Sequence, residues 1–523
     1  MEGNWPLCGY LDACAAVPTA GADRCWTHLP VDALEAALGE LAPGSNLDLR
    51  GVTVGDELLR KILGMLRDPA SGQLRIGAAR CEQATFGDPI ELSNMAIRGE
   101  ATFTGCNFKD ATFATVCIGG TADFSGAMFD GTATFTSIEF TGAASFANCA
   151  FGTATFTSIS AKDDISFENA SVADLELVTA TARPLGAATT LGLTGLRATG
   201  EVDVRADFAL VRCDYAKLSG RIRLQLAGAE LWLTDSIFEQ PATMESWLRA
   251  AQAQSLGRSQ GKNQRQRAAD EQLVRVRSLR GVDAEHLTLS DADLSRCLIY
   301  GLRRPEQLRL EGRCEFARTP PSWHLRWHWL PWRWTRRETL YEEHLWRRTT
   351  RLATLGWTSS IPVQPGDPQE PPPTSPRLAV LYRQLRQGVE DARNEPGTAD
   401  LYYGEMEMRR LSTKGRDERW LLAAYWLVSG YGLRASRSML VLGCLILAAA
   451  EALQRTGFGR HAHHPGFIDC LLYATGSVLS LNLYGHLPTT LSDWGQVIRM
   501  VLRVGGPVLL GLGALAIRGR VKR

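Results

Sequence analysis

A chain of 523 residues is too long for a single hydrophobic core, so two to four structural units are expected. Its 45% hydrophobic and 22% charged residues are those of an ordinary folded protein and exclude a wholly disordered one. The formal net charge of +1 hides an asymmetry: residues 84–178 hold 12 acidic and 3 basic side chains (net −9), and residues 249–280 hold 8 basic and 2 acidic (net +6).

The N-terminal segment, residues 1–30, has neither a basic nor an apolar signal region, so this end is expected to stay in a reducing cytoplasm. It carries Cys8, Cys14, Cys25 and His28, spaced Cys-x5-Cys-x10-Cys-x2-His. Three thiols and an imidazole make up the four ligands of a closed, structural zinc site. So short a segment has little core of its own, and metal would supply its folding energy. Residues 31–73 follow as a helical cap, with Leu34, Leu38 and Leu41 on one helix and Leu58, Leu59, Ile62, Leu63 and Leu66 on a second. Such a cap would cover the otherwise open end of what comes next.

From residue 101 to 156 a large apolar residue returns every five or six positions: Phe103, Phe108, Phe113, Ile118, Phe124, Phe129, Phe135, Phe140, Phe146, Phe151 and Phe156. Two places before each sits a smaller residue, among them Ala101, Cys106, Ala111, Ala122, Ala133 and Cys149. A helix of 3.6 residues per turn would walk these aromatics around its surface, and a flat strand would alternate them between faces. A short-period solenoid places every one of them on the axis. Single inserted residues at Thr121, Thr132 and Ala143 are expected as bulges at corners.

ATFTG, ATFAT, ADFSG, ATFTS and ASFAN resemble the pentapeptide-repeat family. The resemblance implies a right-handed quadrilateral β-helix, so the expected fold class is mainly β; the flanking segments add a small N-terminal Cys/His and helical cap and a C-terminal α-helical transmembrane hairpin. The β-helix is expected over residues 74–320, degenerate after 160 and interrupted by a basic excursion at 249–280. Residues 321–361 include Trp323, Trp327, Trp329, Trp332 and Trp334 among Arg and His. They read as a capping segment, with a membrane interface or base stacking as the other readings. Within them Glu342, Glu343 and His344 are adjacent; neighbours on a helix point apart, so a helical surface is expected rather than a catalytic group. Residues 362–376 are a Pro-rich linker, and 377–418 amphipathic cytoplasmic helices.

Residues 419–523 form the membrane module. Residues 438–453 and 497–517 are apolar and long enough, with their flanks, to span. Arg434 and Arg437 precede the first span, and Arg518, Arg520, Lys522 and Arg523 follow the last. Both clusters belong on the cytoplasmic side, which requires an even number of crossings. Residues 467–483 would then dip in and return. Helix, dip and helix resemble the two-span pore module of potassium-channel-like proteins. The pore-like residues are Ser477, Ser480, Asn482, Tyr484 and Gly485; Asn482 and Leu483 depart from the Val-Gly of that family's filter, which puts potassium selectivity in doubt. Arg499 and Arg503, one turn apart in the last span, favour oligomerisation. His461, His463 and His464 read as a plain polar loop, with metal binding in the outer loop as the other reading.

Over nearly its whole length the chain resembles actinobacterial membrane-associated pentapeptide-repeat proteins, including RRETLYEEHLWRR, NEPGTADLYYGEMEMRR and the terminal RVKR. Some of these relatives are described as oxidoreductases, yet the sequence holds no Gly-rich dinucleotide turn, no CxxC pair and no haem motif. The expected function is a non-enzymatic scaffold or sensor in the plasma membrane, its N-terminal domain and C-terminus cytoplasmic, homo-oligomeric, with a basic protein partner on the acidic face. An ion-channel-like pore around residues 482–485 is one alternative. A DNA mimic binding a topoisomerase-like partner is another, and binding to nucleic acid itself is not expected.

Overall fold

The computed structural model describes residues 5–10, 14–179, 189–247, 273–320, 337–350, 357, 371–391, 395–413, 415–457, 466–479 and 491–521. It divides into two compact units, residues 1–372 with 387–393, and residues 373–386 with 394–523.

The first unit is a parallel β-solenoid of about ten turns. One face is an 11-stranded parallel sheet in which each strand pairs with the strand one coil on. Ala101 lies beside Ala122, Ala122 beside Ala144, and Ala144 beside Ile165, so the small inward position repeats in register. The axial aromatics stack in three columns. Phe86, Phe108, Phe129 and Phe151 stand 4.9, 4.7 and 4.8 Å apart. Phe103, Phe124, Phe146 and Phe167 form the second column at 4.8, 5.0 and 5.1 Å. Phe113, Phe135 and Phe156 form the third at 4.9 and 4.6 Å. Rings of one column meet those of the next edge-on, as their quadrupoles favour.

The residue two places after an axial side chain turns the corner in a left-handed conformation: Asn94, Thr115, Ser137 and Ser158 in one column, with φ between 51° and 57°. At Thr132 the ladder shifts by one residue after Phe129, as the inserted residue requires. Thr121 and Ala143 lie between strands, where their carbonyls accept the N–H groups of Ala101 and Ala122. The weak repeats after residue 160 are regular coils all the same. Leu177, Val204, Leu224, Met244, Leu289 and Leu310 continue the column begun by Phe113. Residues 249–272 of the expected basic excursion lie outside the described residues, and the strand Val274–Ser278 is back in the sheet beside Glu230–Trp232. Cys106 and Cys149 fill inward positions. Their thiols donate to the carbonyls of Cys81 and Phe124, and burial pushes both up to about 12, so they stay protonated.

Two helices, α1 (Val31–Gly39) and α2 (Asp56–Met65), accompany the first coil, with Leu38, Leu59 and Ile62 buried. At the other end stands α3 (Tyr341–Thr349). Here the structure departs from the expected helical surface: Glu342, Glu343 and His344 are all buried. The Glu342 carboxylate accepts the backbone N–H groups of Ile299 and Tyr300, closing the last coil. Glu343 receives both Arg337, at 2.7 and 2.8 Å, and Arg347, at 2.7 Å, and Arg347 stacks on Trp357. His344 meets Thr339 at 2.8 Å, and burial pulls its imidazole down to about 4, so it is neutral at pH 7. Glu343→Ala is expected to cost about 3–5 kcal/mol, because two arginines would keep their charge in a dry site. Urea melts of the purified protein check this. The Trp-rich block 323–334 and most of the Pro-rich linker lie outside the described residues.

The second unit is helical. It holds most of α4 (Ser375–Asp391), then α5 (Glu395–Ser412), α6 (Arg416–Ser429), α7 (Ala435–Thr456), α8 (Phe467–Val478) and α9 (Asp493–Val521). Helices α7 and α9 are long and apolar enough to cross a membrane. The shorter α8 packs against both, its Cys470, Ala474 and Val478 meeting Leu442, Leu453 and Leu502 in one apolar cluster. Gly506 permits this approach: a Cβ there would lie 2.6 Å from Val478.

Candidate metal centre

The N-terminal segment builds its site on the edge of the first coil. Strand Leu47–Asp48 ends the 11-stranded sheet, leaving a row of backbone groups without a further strand. Residues of the Cys/His segment take up that edge. Val17 N–H donates to the Arg50 carbonyl at 2.9 Å and the Trp26 indole to that of Asp48 at 3.1 Å; on the next face of the coil the Thr27 hydroxyl donates to the carbonyl of Thr53 at 2.9 Å. Gly51, with φ +68°, lets the segment come close, since a Cβ there would lie 2.7 Å from the Ala15 carbonyl.

This docking brings Cys8, Cys14, Cys25 and His28 together, with all four ligand atoms within 4.8 Å of one another. Cys25 Sγ is 3.3 Å and Cys8 Sγ 3.6 Å from His28 Nδ1, and Cys14 Sγ is 4.0 Å from Cys25 Sγ. A tetrahedral zinc ion with ordinary bond lengths sets its sulfurs about 3.8 Å apart and a sulfur and nitrogen about 3.5 Å apart. The cluster therefore has the donor set and the dimensions to bind a metal ion such as zinc. Cys8 and Cys25 are buried, and the Tyr10 ring stacks on His28 at 4.4 Å, so the surroundings exclude much of the water.

The electrostatics already favour one thiolate. Burial disfavours the charged form of Cys8, but the Cys25 N–H at 3.3 Å, His28 and the Tyr10 N–H outweigh it and lower the thiol to about 6. Burial pushes Cys25 up to about 11. A bound cation would draw off that proton, and the N–H···S contact to Cys8 would orient the ligand. None of the twelve cysteines is in a disulfide.

The residues singled out in the expected membrane module divide differently. Ser477 is buried in α8, and its hydroxyl donates to the Tyr473 carbonyl at 2.8 Å within its own helix. Ser480, Asn482, Tyr484 and Gly485 lie outside the described residues, as do His461, His463 and His464. Arg503 is exposed on α9.

The acidic charge of the solenoid serves two ends. Asp110 accepts the Thr132 N–H, Asp164 that of Thr190 and Asp174 that of Glu201, each carboxylate locking a corner to the next coil. Glu91, Glu100, Asp130, Glu168 and Glu176 stay exposed on the outer surface. The buried group around Glu342 and Glu343 went unread in the sequence, where its signal was several charges of both signs packed beside aromatics. Comparison with protein-family models, with curated proteins and with solved structures finds no match to this chain.

Proposed function

We propose that the protein is a non-enzymatic scaffold or sensor anchored in the plasma membrane, its solenoid presenting an acidic outer surface to a basic protein partner. The observation that carries this reading is the pair α7 and α9. Only 28% of the apolar window of each is buried within the chain, so a core-helix role would leave most of their apolar surface in water. Arg434 and Arg437 at one end and the basic C-terminus at the other support two crossings with the solenoid and the C-terminus cytoplasmic. The Cys/His centre, holding a structural zinc ion, would keep the first coil closed. Arg503, exposed among Met500, Val501 and Val504, is costly against lipid and supports self-association along α9.

Reporter fusions at residues 400, 460 and 523 test the anchor. The expected result places 400 and 523 in the cytoplasm and 460 outside; a reporter at 460 on the same side as the others overturns the hairpin. One observation favours a second reading. The short α8 packs against both α7 and α9, as a re-entrant pore helix would. Discrete openings in planar bilayers that change with Asn482→Ala would establish a pore, and silence from correctly inserted protein would dismiss it.

A further inference from the structure

We propose that α6 is an interfacial helix lying along the headgroup layer of the membrane, with Trp420, Leu421 and Leu427 set into phospholipid. The inference rests on the anchoring reading above and adds a third membrane contact to its two crossings. With 14 residues, α6 extends about 21 Å, too short for the ~30 Å hydrocarbon layer. Its two sides differ. Leu422 and Ser429 are buried and Trp426 half-buried, whereas Trp420 is 76%, Leu421 71% and Leu427 46% exposed. With Ala424, the exposed three fall at helical spacing on a single stripe.

The opposite side is held in place by a polar clamp. The guanidinium groups of Arg410, at 5.0 Å, and Arg437, at 5.3 Å, both lie over the Trp426 ring, and its indole N–H donates to the Tyr403 hydroxyl at 2.9 Å. Arg437 also donates to the Trp426 carbonyl at 3.1 Å, tying the end of α6 to the first turn of α7. Between the two helices Gly430, Tyr431 and Gly432 are all left-handed, and the buried Tyr431 hydroxyl donates to Glu407 at 3.1 Å. The apolar stripe is therefore fixed at the mouth of a spanning helix, which itself exposes Met439 and Leu440.

Phospholipid is the occupant these features select. Tryptophan and leucine flanked by arginine suit the boundary between headgroups and acyl chains. Arg434 and Arg437 lie at the phosphate level if α7 begins there. Asp417 and Glu418, both exposed in the first turn of α6, sit at the positive end of the helix, Asp417 one turn before Trp420 and Leu421 on the same side as the stripe, at the end away from α7. A second copy of the chain is the poorer fit. Three large side chains offer a few hundred Å², below the ~800 Å² per partner of a stable interface.

The test uses the full chain reconstituted in vesicles of phosphatidylethanolamine and phosphatidylglycerol. Benzoylphenylalanine replaces Leu421, Leu427 or Leu447, one at a time; Leu447 is exposed midway along α7 and reports the spanning helix. After irradiation, mass spectrometry reads lipid adducts and gels read crosslinked chains. Lipid adducts at 421 and 427 in yields comparable to 447 are expected. Lipid at 447 with crosslinked protein, or no adduct, at 421 and 427 overturns the interfacial helix while leaving the anchor. No lipid at 447 overturns both.

Discussion

Cys25→Ser is expected to abolish metal binding and release the N-terminal segment from the first coil. The purified protein should carry one zinc ion per chain, and the variant none. Cys25 is 1% exposed and touches both Cys14 and His28, so serine would break the ligand set at its centre. Because metal binding supplies the folding energy of such a segment, the loss should be on the order of several kcal/mol. The damage should be local. Residues 5–30 would become sensitive to protease, and the first coil, having lost the groups that hold Asp48, Arg50 and Thr53, would fray. Acid acts in the same direction, since protons and metal compete for the thiolates. A variant that keeps one zinc ion and an unchanged melting curve would remove the metal centre from this account.

The second large effect is expected from Phe135→Ala. Phe135 is 1% exposed, stacked on Phe113 and Phe156 at 4.9 and 4.6 Å, and met edge-on by Phe124 and Phe146 at 5.7 and 5.4 Å. Truncation leaves a cavity in the middle of the column, where the coils above and below cannot close without breaking register. A loss of about 3–5 kcal/mol is expected in equilibrium unfolding. Phe135→Leu, which keeps most of the volume, should cost clearly less. Equal losses for the two would mean that stacking rather than filling holds the column. A solenoid contacts only its neighbouring coils, so the same truncation at Leu310, near the end of the sheet, should be milder.

Much of the first unit was legible because a repeat converts tertiary structure into local pattern. Ala101 and Ala122 are 21 residues apart and Ala122 and Ala144 are 22, so each residue's neighbour in space is set by the period. The four residues of the Cys/His cluster were legible for a different reason: thiol and imidazole chemistry singles them out whatever the fold. The coils after residue 160 were harder to read, since Leu, Val and Met replace Phe there and the five-residue step is no longer marked by one residue type.

The sequence by itself determined the axis of the solenoid, the insertion at Thr132, the Cys/His cluster that could hold a metal ion and the two long apolar helices. Each depends on spacing or composition within a short stretch. Only the tertiary structure decided how the ends close and which helix faces stay open. That Trp26 and Thr27 bind the edge of the first coil, that Glu342 caps Ile299 and Tyr300, and that α6 buries Leu422 while exposing Trp420 depend on segments that share no period. A charged residue such as Glu343 reads as surface until the arginines that neutralise it arrive from Arg337 and from the next turn of its own helix. Burial of charge is a property of the assembled partners, and no single stretch of sequence carries it.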